Sequence, residues 1–206
     1  MCRGVFGQKP NSASVCITAN RANITPKNSF ASKMSKWFNR EMPKTHSPKE
    51  TQLYAKKLVE KIKKNILSHR ALVFALLGNL GSGKTTFIQG FARALGIKRR
   101  LLSPTFLIIR SYKIPKKSKN LLPITRYPLL ITHYSLLVHI DAYRIHHPKE
   151  LLALDFQKII SNQKNIILIE WAEKIKKLLP KNTIQLKFEH GKKENERIIK
   201  ISNYFK

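Results

Sequence analysis

"LLGNLGSGKTTFIQG", Leu76 to Gly90, decides how the rest of the chain is read. Within it, Gly78-Asn79-Leu80-Gly81-Ser82-Gly83-Lys84-Thr85 fits the pattern G-x-x-x-x-G-K-[ST]. Glycines at these places let successive backbone N–H groups turn inward around phosphate oxygens. The lysine then reaches the outer phosphates, and the next hydroxyl offers an oxygen to Mg2+. Just before it, "ALVFALL" (71–77) is short and fully apolar, as a buried central strand is. Helical spacing follows the motif to about Leu95, where Gly96 stands as a C-terminal cap. A nucleoside-triphosphate cradle needs strand, turn and helix in that order, whereas a glycine-rich surface turn needs neither neighbour.

Working outward, "SPKETQLYAKKLVEKIKKNI" (47–66) opens a helix, with Ser47 as N-cap, Pro48 at the first position and Glu50 closing a capping box. "SPTFLIIRSY" (103–112) and "SLLVHIDAY" (135–143) read as strands. Residues 113–134, with Lys113, Lys116, Lys117, Lys119 and Arg126, read as a basic loop or a long hairpin tip. "PKELLALDFQKII" (148–160) reads as one helix and "NIILIEW" (165–171) as another buried strand. "TIQLKFEHGKKENERIIKIS" (183–202) alternates about a charged turn and reads as an antiparallel hairpin. The expected fold is α/β: a P-loop NTPase-like sheet with flanking helices, helices on one face early and an antiparallel margin late. That domain spans 45–206. Residues 1–44 are rich in Ser, Asn and Lys with one acid, Glu41, and read as a disordered extension. Translation starting at Met34 or Met42 accounts for them too, as does an organelle-targeting segment.

Charge is the unusual quantity in this 206-residue chain: 40 Lys+Arg against 11 Asp+Glu, net +29. Such a balance favours polyanionic partners, RNA above all. The basic residues are spread along the sequence, however, and an AT-rich genome that inflates lysine accounts for the same excess. No apolar run is long enough to cross a bilayer. Cys2 and Cys16 lack any disulfide or zinc spacing, so a reducing, cytoplasmic setting is expected.

The metal carboxylate follows by elimination. From Lys61 through Ile140 there is no Asp or Glu. Of the eight acids beyond that span, only Asp141 and Glu170 end apolar strands, where ligands of open α/β sheets sit. Either can bind Mg2+, directly or through water, or orient the attacking water. The others, among them Glu150, Asp155, Glu173, Glu189, Glu194 and Glu196, read as solvated. Ser103-Pro104-Thr105 supplies hydroxyls that could approach the terminal phosphate as a switch loop does. No N-K-x-D element appears, which removes the GTPases.

These pieces resemble one family, TsaE (also called YjeE), over roughly Thr45 to Ile201. The resemblance rests on "GNLGSGKTTFIQGFARALGI", S-P-T at 103–105, "HIDAYRI", "PKELLALDF" and "IILIEW" in that order. It implies a small Mg2+-dependent ATPase that binds the TsaB–TsaD complex in tRNA threonylcarbamoyladenosine formation. By the same resemblance Thr85 and Glu170 would ligate Mg2+, Gly81, Ser82, Gly83, Lys84, Thr85 and Thr86 would hold phosphates, and Thr51 would lie near adenine. Lys84, Asp141 and Glu170 are then the expected catalytic residues, with Thr105 and Trp171 beside the nucleotide. Asp141, Tyr143 and Arg144 would line the site or its partner face. The chain departs from the family pattern at Asn79, usually Asp, at Asp155, commonly Gly, and in its longer, more basic 113–134 segment.

Two rivals remain on sequence. A small nucleoside or nucleotide kinase would use the 113–134 segment as a lid, and a non-enzymatic RNA-binding protein would rest on charge alone. tRNA contact, direct through the basic surface or indirect, belongs with either the ATPase or the RNA reading. Since no element of the cradle lies before residue 42, a chain starting at Met42 should bind ADP as the full chain does. Calorimetry checks this: a loss of about tenfold, equivalent to about 1.4 kcal/mol, would mean the leader contributes to the site.

Overall fold

The run Leu72–Leu77 (β2) takes the fourth place in a seven-stranded sheet of order β1-β7-β6-β2-β5-β4-β3. The computed structural model describes residues 43–65, 71–116 and 133–203. The other strands are β1 (Lys44–Thr45), β3 (Ile109–Lys113), β4 (Leu136–Asp141), β5 (Asn165–Glu170), β6 (Ile184–His190) and β7 (Arg197–Asn203). β2 pairs in parallel with β5 and β6, and β4 in parallel with β5. β3, β7 and β1 are added antiparallel, so the sheet has antiparallel margins on both sides and not only the late one.

Period-two alternation divides β2 between two cores. Leu72, Phe74 and Leu76 pack with α1 (Pro48–Asn65) and α2 (Lys84–Ala94). Val73 and Ala75 pack instead with α3 (Pro148–Leu152), α4 (Phe156–Ser161) and the 3-10 segment Ala172–Leu178. Helices therefore cover both faces: the early pair, α1 and α2, share one as the sequence reading expected, and the later helices take the other. A strand with helices above and below has no polar side to show, which is why β2 and, from Ile166 to Ile169, β5 are apolar.

Three further expectations need correction. The strand expected from Ser103 begins only at Ile109. The amides of Leu107 and Ile108 both donate to Pro104 O, which closes a turn, and Ile108 takes a left-handed φ of 60° before the strand starts. The helix expected over 148–160 is broken into α3 and α4 by Asp155, whose φ is 55°. That is the backbone a glycine adopts most readily, so the aspartate at this point keeps the glycine geometry. Glu196 is buried, at 7% exposure, and not solvated. It accepts from the amides of Lys192 and Lys193 and pairs with Lys44 at 3.2 Å, closing the β6–β7 turn onto β1.

The expected cap at Gly96 is present, with φ of 90° after the last turn of α2. Within the 113–134 segment, Lys113 ends β3 and Tyr134 is buried before β4; residues 117–132, with Lys117, Lys119 and Arg126, lie outside the described residues, as do 1–42.

Helices α1 and α2 cross where Gly90 faces Gln52. A Cβ on Gly90 would stand 2.5 Å from Gln52 Cα, so the helices touch backbone to backbone. Gly90→Ala should gain helix propensity of about 1 kcal/mol yet lose more to overpacking, which costs about 1–3 kcal/mol. We expect a lower melting temperature; an unchanged or higher one would show that the crossing relaxes freely.

Candidate functional site

The ends of β2, β4 and β5 open on one edge of the sheet. Gly78 leaves β2 with φ of 131°, and a Cβ there would lie 2.2 Å from Phe188 O, so no side chain fits. Gly83 caps α2 in the left-handed region, with no side-chain cap and no acid in the first turn. The first amides of α2 thus have no acceptor within the helix, and the positive end of its dipole has no acid of the helix's own beside it. Leu80 through Thr86 line a cavity of about 420 Å3, with Ser103, Thr105, Asp141, Tyr143, Glu170 and Trp171 as the opposite walls.

The two strand-end carboxylates lie side by side, Asp141 in register with Glu170, and each is 3% exposed. They hold different partners. Glu170 accepts from Thr85 Oγ1 at 2.9 Å on Oε2 and 3.1 Å on Oε1, and His139 Nε2 stands 2.9 Å from Oε1. Asp141 Oδ2 accepts from Ser103 Oγ at 2.5 Å and Thr105 Oγ1 at 2.7 Å, and Oδ1 accepts from the Tyr143 amide at 3.0 Å. Glu170 is therefore tied to the start of α2, and Asp141 to the 103–105 turn.

Lys84 Nζ donates to Gly78 O at 2.7 Å and Asn79 O at 2.8 Å, and stands 4.3 Å from the centre of the Trp171 ring. Burial pushes this ammonium below the usual lysine range, against the pull of Glu170, Glu173 and Asp141. Asn79 contributes through its main-chain carbonyl, which also accepts from the Ser82 amide, so these contacts do not need the aspartate usual there. Trp171 holds a left-handed φ of 57°, a strained backbone for a bulky residue, and its ring lies 5.2 Å from that of Tyr143.

Gly81, Ser82, Gly83, Lys84, Thr85, Thr86, Thr105, Asp141, Glu170 and Trp171 all meet in the one cavity. Thr51 does not line it. Its hydroxyl is 2.8 Å from that of Thr45, and its methyl lies behind Gly83. Arg144 does not line the cavity and stacks on Phe106, 4.2 Å from the ring centre.

Three residues escaped sequence reasoning. His139 was legible, being two positions before Asp141 and so on the same strand face. Arg197 and His190 were not, because only the β6–β7 hairpin brings them to the loop. Arg197 Nε donates to Gly81 O at 3.1 Å, and His190 Nε2 lies 3.2 Å from Leu80 O.

The donors suit Mg2+. Thr85, Glu170 and Asp141 offer hard oxygens, and no cluster of three or more His, Cys, Asp or Glu forms a closed metal cage among the described residues. Mg2+ takes one or two protein oxygens and completes its shell with water and substrate phosphate, which an open, oxygen-lined cavity allows.

A family profile described as threonylcarbamoyl adenosine biosynthesis protein TsaE matches residues 45–199. The chain is similar to tRNA threonylcarbamoyladenosine biosynthesis protein TsaE of Bacillus subtilis (strain 168), 38% identical over 55% of this chain and 59% of that protein. The match thus spans under two thirds of the Bacillus protein. The protein of the same name from Rickettsia prowazekii (strain Madrid E) is 34% identical over 68% of this chain and 81% of its own. Among solved structures, YdiB of Bacillus subtilis aligns with a TM-score of 0.51 and 28% identity, covering 78% of this chain and 83% of that one. With the profile spanning most of the described fold and the glycine-rich loop, Asp141 and Glu170 all inside it, the chain belongs to the TsaE family.

Proposed function

We propose that this TsaE-family protein binds Mg2+ and ATP in the cavity at the strand ends and hydrolyses the nucleotide. That turnover would support tRNA threonylcarbamoyladenosine biosynthesis in the cytoplasm, through association with the TsaB–TsaD complex. Family membership supports the pathway. The observation that carries the chemistry is the meeting of Lys84, Thr85, Asp141 and Glu170, from three separate stretches, around one cavity. Among the described residues no helix is long and apolar enough to cross a membrane. Contact with tRNA is through the complex or through the basic surface.

Each residue then has a task. The 81–86 backbone binds phosphate oxygens, and Lys84 exchanges its two carbonyl partners for them. Thr85 and Glu170 would hold the Mg2+, which would offset charge on the phosphates. Asp141, flanked by the Ser103 and Thr105 hydroxyls, is positioned to orient a water at the terminal phosphate. Trp171 and Tyr143 wall the cavity and limit bulk water.

Lys84→Ala should lower ATP hydrolysis by about 100-fold or more, the scale of losing one preorganised electrostatic contact. Its melting temperature should barely move, since the ammonium meets carbonyls and not the core. Near-normal turnover would remove Lys84 from the site.

Glu170→Gln should still bind nucleotide in EDTA, because the loop backbone makes the phosphate contacts, while Mg2+-dependent hydrolysis collapses. Asp141→Asn should impair hydrolysis less. The reverse ranking would assign the metal to Asp141. Turnover in the absence of any added phosphate acceptor separates hydrolysis from a kinase.

A further inference from the structure

His139 is fully buried in β4, at 0% exposure, on the strand face it shares with Leu137 and Asp141. Its Nε2 lies 2.9 Å from Glu170 Oε1, while its Nδ1 has no hydrogen-bond partner among the described residues. Burying an imidazole with one nitrogen unsatisfied costs stability that a leucine at the same place would not. Among the described residues, the side-chain hydrogen bond set against that cost is the one to Glu170. A carboxylate accepts and cannot donate, so His139 donates through Nε2.

Glu170 is a long side chain whose carboxylate would otherwise rotate about its last torsion. Thr85 Oγ1 approaches closest on Oε2, and His139 holds Oε1 from the opposite side, out of the neighbouring strand. Two donors from two elements fix both oxygens. Thr85 is itself an expected ligand of the metal, so His139 is the partner able to keep the carboxylate oriented through metal arrival and departure.

We propose that His139 is a positioning residue for the Mg2+ carboxylate: through Nε2 it sets the orientation of Glu170 and so the strength with which Mg2+ and nucleotide reinforce each other's binding. The proposal rests on the Mg2+–ATP reading above. Partners of this kind, behind a metal ligand, are worth about 10–100-fold in metal affinity.

Two amide substitutions separate this from a packing role. In His139→Gln the side-chain amide nitrogen reaches the place of Nε2, and in His139→Asn it reaches only that of Nδ1. Both leave a buried amide, so their effects on packing are similar. Calorimetry of ADP binding to the full-length chain, in EDTA and in saturating Mg2+, gives the Mg2+ enhancement as a ratio of dissociation constants. We expect His139→Asn to reduce that enhancement about tenfold or more with its EDTA value unchanged, and His139→Gln to restore most of it. The Mg2+ concentration for half-maximal ATP hydrolysis should rise in parallel in His139→Asn. Equal enhancement in wild type and His139→Asn, or equal loss in both variants, overturns the role of Nε2.

A second measurement needs no variant to fold. In 15N spectra of the histidine-labelled wild type, the most protected ring should carry its proton on Nε2 and shift when Mg2+ is added to the ADP complex. A proton on Nδ1 overturns the proposal. Failure of the wild type to show any Mg2+ enhancement contradicts the ATPase reading itself, an outcome distinct from failure of the His139 role.

Discussion

A carboxylate buried at the end of β5 is the constraint on which the site depends. Glu170 is 3% exposed, and a lone buried charge would be costly. Here the charge is met by two hydrogen-bond donors on its own oxygens and by the Lys84 ammonium in the same cavity. Those partners come from β4 and the first turn of α2, directly after the glycine-rich loop. The carboxylate thus fixes how the loop, the helix and two parallel strands meet. Removing Thr85 or His139 would leave a buried carboxylate oxygen short of its donor, which makes those two positions sensitive.

Asp141, its neighbour across the register, has a separate duty. It gathers Ser103, Thr105 and the Tyr143 amide, and so anchors the turn that carries the exposed Phe106 and Leu107. That turn ends in Ile108 with a left-handed φ of 60°, and Trp171 on the other wall has one of 57°. Backbone held in such regions persists only where its surroundings over-determine it. Both lie next to the cavity, where a well-packed strand end could instead have taken ordinary geometry.

Much of this was legible in the sequence because the signals were local or came by exclusion. The loop follows a buried strand and opens a helix in one continuous stretch, and an acid-free span of eighty residues left two strand ends as sources of a carboxylate. What was missed depends on pairing or on single backbone angles. Arg197 and His190 reach the loop only because β6 and β7 pair beside β2. The break at Asp155 is one residue's φ inside an otherwise helical pattern, and the late start of β3 follows from two amides converging on Pro104 O. Apolar spacing carries no trace of either. His139 was legible in position, two residues before Asp141, but its task shows only once the acid one strand away is seen.

The central claim is that Thr85 and Glu170 together present the metal to a nucleotide held by the 81–86 loop. A crystal structure with Mg2+ and a non-hydrolysable ATP analogue tests it most directly. The account predicts Mg2+ at about 2.0–2.1 Å from Thr85 Oγ1, with Glu170 bound to it directly or through one water and phosphate oxygens against the loop amides. Phosphates outside the 81–86 loop, or Mg2+ held by Asp141 with Glu170 turned away from it, would contradict the account.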